Sequence, residues 1–361
     1  MTLQIRHKKT VLLVPAVLVV IAVLVSLHAR WNTNVRGADS FCDGLLTSKE
    51  VQAALSGPGR VSEVSSSSAG EGTLFSCTVE RTSRFTGTAD ARMTVRTNDT
   101  TGAFPYTTNV WKYPAARSYF TGGAVSDHLG YAILPEKCWG KAVDIRGSRV
   151  VLPGLDGTMF IEARVEEGQA DREGVARILS RSARDIAAAA GCSNGEKGAF
   201  DGLSSPAAWR ASDPGAICGL DGLTLPESTL FKGVVEVGRE QVNDASTHWA
   251  CDLDLKGTSG SRLSFAATTD PDIIAAAKRE RRFWEALPEK QGYAGISEAV
   301  LHCEKGDVHF STRRSFEYDG VLLKKAPLNV PTYAAFGRAT FQNFLNAAAP
   351  AYSCPKPVLP S

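Results

Sequence analysis

Eight cysteines constrain this 361-residue chain more than any other feature: Cys42, Cys77, Cys138, Cys192, Cys218, Cys251, Cys303 and Cys354. They form two sets of four with echoing separations, 35, 61 and 54 residues in the first and 33, 52 and 51 in the second. The offset between the sets drifts smoothly from 176 residues (Cys42 to Cys218) to 162 (Cys192 to Cys354), as short loop deletions would produce. Local context agrees. The first cysteine of each set opens a Leu/Gly/Thr segment, Phe41-Cys-Asp-Gly-Leu-Leu-Thr and Ile217-Cys-Gly-Leu-Asp-Gly-Leu-Thr. The second lies in an alternating pattern after an aromatic residue, Phe75-Ser-Cys-Thr-Val and Trp249-Ala-Cys-Asp-Leu. The third follows a Gly-Tyr-Ala tripeptide, at Gly130 and at Gly292, and the fourth closes an Ala-rich helical pattern. An internal repeat of this kind predicts one fold used twice.

An even cysteine count in an exported chain reads as disulfides, and these spacings are far from those of zinc ligands. Four cysteines per set allow three connectivities, and spacing does not choose among them. The expectation carried forward is sequential pairing, Cys42–Cys77, Cys138–Cys192, Cys218–Cys251 and Cys303–Cys354. Each such bridge would contribute roughly 3–4 kcal/mol by closing a loop in the unfolded chain.

Export itself is written at the N-terminus. Arg6, His7, Lys8 and Lys9 precede an uncharged run from Thr10 to Leu27, interrupted only by Pro15 and Ser26 among apolar residues. As a helix the run reaches roughly 27 Å, close to the ~30 Å hydrocarbon core of a bilayer. The basic cluster before it predicts a cytoplasmic N-terminus. A cleaved signal peptide is the competing reading, but Leu27-His28-Ala29 puts bulk where a cleavage site wants small residues, and the run exceeds an ordinary signal core. The expectation is therefore a single-pass plasma-membrane protein: residues 1–9 cytoplasmic, 10–28 a retained signal anchor, and 29–40 a juxtamembrane linker. A formal net charge of +2 excludes the strongly basic class that binds nucleic acid.

Beyond the anchor, the pattern predicts an α+β chain of two tandem related domains, each an antiparallel sheet with packed helices and two disulfides. Their expected bounds are 41–192 and 216–355, joined by a Gly/Ser/Pro/Ala-rich linker at 193–215 and followed by a tail at 356–361. Thr47 to Leu55 carries a capping box, Thr47 with Glu50, and reads as a short helix; Ser65 to Ser68 reads as solvated loop. Strands are expected at Leu74–Glu80, Ala91–Arg96, Leu129–Leu134, Ala142–Leu152 and Thr158–Val165, then a helix from Asp171 to Ala190. In the second half strands are expected at Trp249–Lys256, Arg262–Ala267, Ile296–Glu304 and Val308–Arg313. Asp270-Pro271 opens a helix expected to reach Leu287, and Thr332–Ala349 is the closing helix, with Phe336, Phe341, Phe344, Leu345 and Ala348 inward.

The segment Cys42-Asp-Gly-Leu-Leu-Thr-Ser-Lys-Glu-Val, followed by Phe75-Ser-Cys-Thr-Val, resembles a large actinobacterial group of exported, cysteine-paired domains of unknown function, many of them lipoproteins. Two departures stand out: Thr78-Val79 replaces the aromatic residue that often follows the second cysteine, and a transmembrane helix replaces the lipidation cysteine. The resemblance implies small α/β sandwiches like those of mycobacterial envelope lipoproteins and kinase sensor domains. It implies no catalytic residue.

No nucleotide-binding glycine motif or nucleophile elbow occurs; Gly257-Thr-Ser-Gly-Ser reads as a hairpin turn. His302 and His309, on adjacent expected strands, are close enough for a metal site but read as ordinary strand residues, as does His248. Asp252 and Asp254 alternate, which reads as the wet face of a strand, and Glu166/Glu167 is a similar acidic pair. Trp111, Tyr113, Tyr119 and Phe120 read as core or groove lining. The most unusual surface candidate is Lys278, Arg279, Arg281 and Arg282 with Trp284, a basic and aromatic stretch that could meet anionic headgroups or cell-wall polymer but reads first as an ordinary solvated helix face with interspersed charge. The expectation is a non-enzymatic binding module for a cell-envelope ligand or protein partner, without cofactor; a structural subunit of a membrane complex is the alternative, ahead of an enzyme.

Overall fold

The computed structural model describes residues 4–35, 37–67, 75–84, 90–100, 114–145, 148–151, 158–193, 200, 202–226, 237–256, 260–279, 284–325 and 330–360. Of the residues singled out above, Ser68, Leu74, Trp111, Tyr113, Leu152, Arg281, Arg282 and the start of the turn at Gly257 lie outside them. Helix α1 spans Gln4–Asn32. Among the described residues it is the one helix long and apolar enough to cross a membrane, as an anchor or a signal sequence does. Its side chains from Val17 to Val25 are largely bare of protein contact.

A two-strand ribbon, β1 (Ser40–Phe41) with β2 (Leu46–Thr47), leads into α2 (Ser48–Ala54). The capping box forms as read: Thr47 accepts the Glu50 N–H, and the Glu50 carboxylate accepts the Thr47 N–H at 3.1 Å. Then come β3 (Arg60–Ser67), β4 (Ser76–Thr82), β5 (Ala91–Thr100), β6 (Ser118–Phe120), β7 (Gly123–Val125) and β8 (Leu129–Ile133). A separate ribbon, β9 (Ala142–Ile145) with β10 (Ser148–Val151), precedes β11 (Thr158–Glu167) and α3 (Arg172–Ala189). The second half holds β12 (Arg210–Ala211), β13 (Val237–Asp244), β14 (His248–Leu255), β15 (Arg262–Thr268), α4 (Pro271–Arg279), β16 (Glu285–Ala286), β17 (Gly292–Ala294), β18 (Glu298–Cys303) and β19 (Gly306–Arg314). Helices α5 (Phe316–Lys325) and α6 (Val330–Ala348) complete it.

Two antiparallel sheets result. The first runs β3-β4-β5-β11-β8-β7-β6, the second β12-β13-β14-β15-β19-β18-β17-β16. Leaving out the edge strand β12, seven strands taken in chain order occupy the same seven places in both sheets. The disulfides join Cys42 to Cys77, Cys138 to Cys192, Cys218 to Cys251 and Cys303 to Cys354, the sequential pairing. In each half one bridge pins a tight turn to the second strand of that seven-strand order. The other ties the segment at or after β8 or β18 to the end of the closing helix.

Strand alternation gives each sheet an apolar and a polar face. In the first, Cys77, Val79, Met93, Val95 and Ile161 are buried toward α2 and α3, whose Val175, Ile178, Leu179 and Ile186 fill the same core. In the second, Leu253, Leu263, Phe265, Phe310 and Leu301 meet Phe336, Phe341, Phe344 and Leu345 of α6. Phe344 centres that core, with ring centroids 4.9 Å from Phe265 and 5.9 Å from Trp249. The inward face read for the closing helix is the buried one.

Several expectations are corrected. Ser65 to Ser67 are strand, not loop, because β4 supplies ladder partners for an otherwise polar segment. Ala142–Leu152 is not one strand; β9 and β10 pair as a hairpin. The helix opened by Pro271 does not reach Leu287, since Glu285 and Ala286 pair with Ala294 and Tyr293 instead. The two Gly-Tyr-Ala tripeptides sit on different members of the strand order, β8 and β17.

Candidate functional site

The turn at Pro114–Ala116, followed by Arg117, packs against β13, β14 and β15 of the second sheet. Arg117 is buried, and its carbonyl accepts a hydrogen bond from Asn243 Nδ2 of β13. Tyr119 of β6 stacks on His248 of β14, centroids 4.5 Å apart and planes 20° from parallel. Asp252, fully buried on the same face of β14, accepts the Ser264 hydroxyl at 2.6 Å. The segment between the halves is stitched to both: Tyr119 N–H donates to Ser204 Oγ at 2.8 Å, and Gln241 Nε2 donates to the Ala207 carbonyl at 3.0 Å. Trp209 is flanked by two guanidiniums, Arg239 at 4.7 Å and Arg262 at 5.2 Å from its ring centroid.

Burying ionisable groups here shifts them strongly. Burial pushes the Asp252 carboxyl up to about 6, against the opposing pull of the Ser264 hydroxyl, Arg262 and the backbone N–H groups of Ala115 and Ala116. Burial lowers His248, partly offset by Asp270, so its imidazole is held neutral. Arg117 is likewise lowered by burial. The wet-face reading of Asp252 and Asp254 is therefore overturned: Asp252 is fully covered by the first half, and Asp254 is sealed by Arg239 at 2.8 Å.

Beside this seam lies a cleft of about 770 Å³. One wall is α4, which presents Pro271, Ile274, Ala275 and Lys278 at helical spacing. The others are the Asp307 turn between β18 and β19, Tyr352 after α6, and Glu136 from the first half. Asp307 is the hub of the charged rim, bonded to the Lys278 ammonium and, at 2.6 Å, to His302 Nδ1. Burial alone would raise its carboxyl, but the hydrogen bonds from Lys278 and His302 outweigh it and hold Asp307 below the ordinary carboxylate value. Burial pushes the Tyr352 phenol up, and the nearby Asp244 adds to this, so it remains a protonated hydrogen-bonding group.

Lys278 and Arg279 thus sit at a cleft rather than on an open basic face; Arg279 lies over the Trp139 ring at 5.2 Å. Trp284 lies flat over His309, 6.2 Å between centroids, and joins the small apolar cluster of Ile274, Ala277 and Val300. His302 and His309 do not converge, since one bonds Asp307 and the other is buried beneath Trp284 with Glu298 at 3.7 Å. Glu167 pairs with Arg92 at 3.3 Å, and Glu166 accepts the Thr94 hydroxyl. Tyr119 and Phe120 are buried, as core packing requires. Among the described residues one cluster brings metal-type ligand atoms together, Cys42, Glu63 and Cys77. Its sulfurs are already joined as a disulfide, and Glu63 accepts the Cys42 N–H at 2.7 Å.

That last contact is the feature sequence reasoning missed. Cys218 N–H donates to Glu240 at 2.8 Å in the same way. Glu63 faces Val79, two residues after Cys77, and Glu240 faces Leu253, two residues after Cys251. Both first cysteines hold positive φ, 57° and 63°, a conformation that costs a non-glycine residue energy and that the bridge and the carboxylate together enforce. A glutamate 21 or 22 residues after the first cysteine of each set was the available signal. No family model, curated protein or solved structure matches this chain.

Proposed function

We propose that this chain is a membrane-anchored extracytoplasmic binding module without catalytic activity, built from one domain plan used twice, with its ligand site in the cleft beside the seam. The observation that carries the reading is the cleft. Its volume of about 770 Å³ falls in the range that small-molecule sites occupy. It combines an apolar wall of Ile274 and Ala275 with hydroxyls of Ser246, Thr269 and Tyr352 and a charged rim. The rim's titratable groups are engaged with one another, Lys278 with Asp307 and Asp307 with His302, an arrangement suited to orienting a ligand rather than to transferring protons.

Shared descent of the two halves is supported by the common seven-strand order and the twin cysteine–glutamate turns. Retention of α1 and an outward C-terminus are supported by the apolar helix and by four disulfides, which persist in oxidising compartments. An exported compartment and a small α/β domain fold are what the resemblance to exported actinobacterial domains implies.

The test uses the full chain in nanodiscs, incubated with a protein-free extract of the host envelope and analysed for what co-purifies and dissociates on unfolding. Wild type should retain a small molecule that Ala275→Trp, which fills the cleft, does not. Equal retention by both proteins, or by neither, sinks the cleft as the site. A reproducible protein cross-link from the cleft rim would instead favour the structural-subunit alternative.

A further inference from the structure

The end of α1 does not lead into a free linker. Asn32 is buried, and its Oδ1 accepts the Arg84 N–H at 2.6 Å and the Ser83 hydroxyl at 3.1 Å. Asn34 Oδ1 accepts the Val61 N–H at 3.2 Å, and its amide nitrogen donates to Ser48 Oγ. Arg60 Nη1 donates to the Arg30 carbonyl at 3.3 Å, capping a carbonyl that the helix leaves open. The helix axis is thereby fixed to the edge of the first sheet.

Geometry then sets the height of that edge. Leu27 ends the apolar run, and five residues of helix to Asn32 rise about 7.5 Å. The headgroup layer outside the hydrocarbon is roughly 5–8 Å thick on each side. Asn32 consequently lies at the outer limit of the headgroups, and the side chains around it stand at headgroup depth. These are Arg30 and Trp31 on the helix, Arg60 opening β3, and Arg84 after β4, whose guanidinium lies 5.7 Å from the Trp31 ring centroid. No ion pair among the described residues involves Arg30, Arg60 or Arg84; the nearby Asp90 carboxylate accepts the Ser83 N–H. Guanidinium groups match phosphate geometry, and Trp favours the membrane interface.

We propose that this collar, Arg30, Trp31, Arg60 and Arg84, is a lipid-headgroup site that seats the first half directly on an anionic bilayer. It rests on α1 being a retained anchor, part of the proposed function. The collar fixes the orientation of everything beyond it, because Asn32 and Asn34 leave no slack between anchor and sheet.

The test reconstitutes the full chain in bilayers of phosphatidylcholine with or without phosphatidylglycerol, each doped with a lipid carrying a photoreactive headgroup. Cross-linked peptides should include those containing Arg60 and Arg84, with higher yield when phosphatidylglycerol is present and lower yield at high salt. The Arg60→Glu/Arg84→Glu variant should lose the yield at those peptides several-fold while keeping four disulfides and its near-ultraviolet circular dichroism. Cross-links confined to α1 in an intact chain, or yields indifferent to both lipid and variant, overturn the collar alone. Mass spectrometry of the protein from its native membrane separates the other failure: a mature chain beginning beyond Trp31 overturns the anchor and the collar with it.

Discussion

Tyr119 and His248, one from each sheet and 129 residues apart in sequence, lie flat on one another with ring centroids 4.5 Å apart. The stack closes the seam above Asp252 and beside Arg117, so the two halves share a buried polar surface rather than a loose joint. In a double-mutant cycle of Tyr119→Ala and His248→Ala, the coupling should be about 0.5–1.5 kcal/mol, the usual worth of an aromatic pair beyond its burial. Denaturant titration measures it. Strict additivity would show that the two rings contribute only their separate burial.

Asp252 makes the seam pH-dependent, and the sign follows from its raised carboxyl. The folded state holds the proton up to about pH 6, whereas an unfolded aspartate releases it near 3.9. Stability from this group is therefore full below the unfolded value and declines as pH rises toward 6, flattening above it. Replacing it by Asn removes that slope: relative to wild type, Asp252→Asn should gain about 2 kcal/mol between pH 4 and pH 7. Parallel wild-type and variant stability curves across that window would contradict the assignment. His248, held neutral by burial, pulls in the opposite direction below its unfolded value near 6.5, which is why the comparison is made between wild type and variant at each pH.

The twin cysteine–glutamate turns should respond unequally to truncation. Glu240 is buried and also accepts Arg210 Nε at 2.8 Å and Ser212 Oγ at 2.9 Å. Glu63 is exposed, with the Cys42 N–H as its partner. Glu240→Ala should cost about 2–4 kcal/mol, and Glu63→Ala below about 1 kcal/mol. Equal costs in thermal or denaturant unfolding would mean that burial does not set the strength of this motif.

Phe344 touches Phe265, Phe310, Phe341 and Trp249, so its removal opens the centre of the second core. Phe344→Ala should lose about 3–5 kcal/mol, with the Tyr119–His248 seam left intact. Loss of both together would show that the two halves unfold as one unit.

What the sequence carried legibly was local or periodic. Thr47 and Glu50 cap α2 through atoms three residues apart, and α6 repeats its aromatic residues at helical spacing, so both were readable without a partner. Asp252 and Asp254 were misread because alternation reveals which residues share a face but not what covers it. The cover here is a turn at Pro114–Ala116, more than a hundred residues earlier. β3 looked like a serine loop because its stability comes from pairing with β4, not from its own side chains. The Pro271 helix overran in the reading since nothing local marks the backbone of Glu285 as a ladder partner of Ala294. The cleft is formed by five separate segments of the chain, and no spacing announces it.

The most direct test of an anchored, outward-facing module is its location in the intact cell. Cells expressing the full chain are treated with a membrane-impermeant amine reagent, and peptides are mapped by mass spectrometry. Lys305, exposed at the rim of the cleft, should be modified, while Lys8 and Lys9 should be modified only after the membrane is breached. Modification of Lys8 and Lys9 with protection of Lys305 would contradict the account.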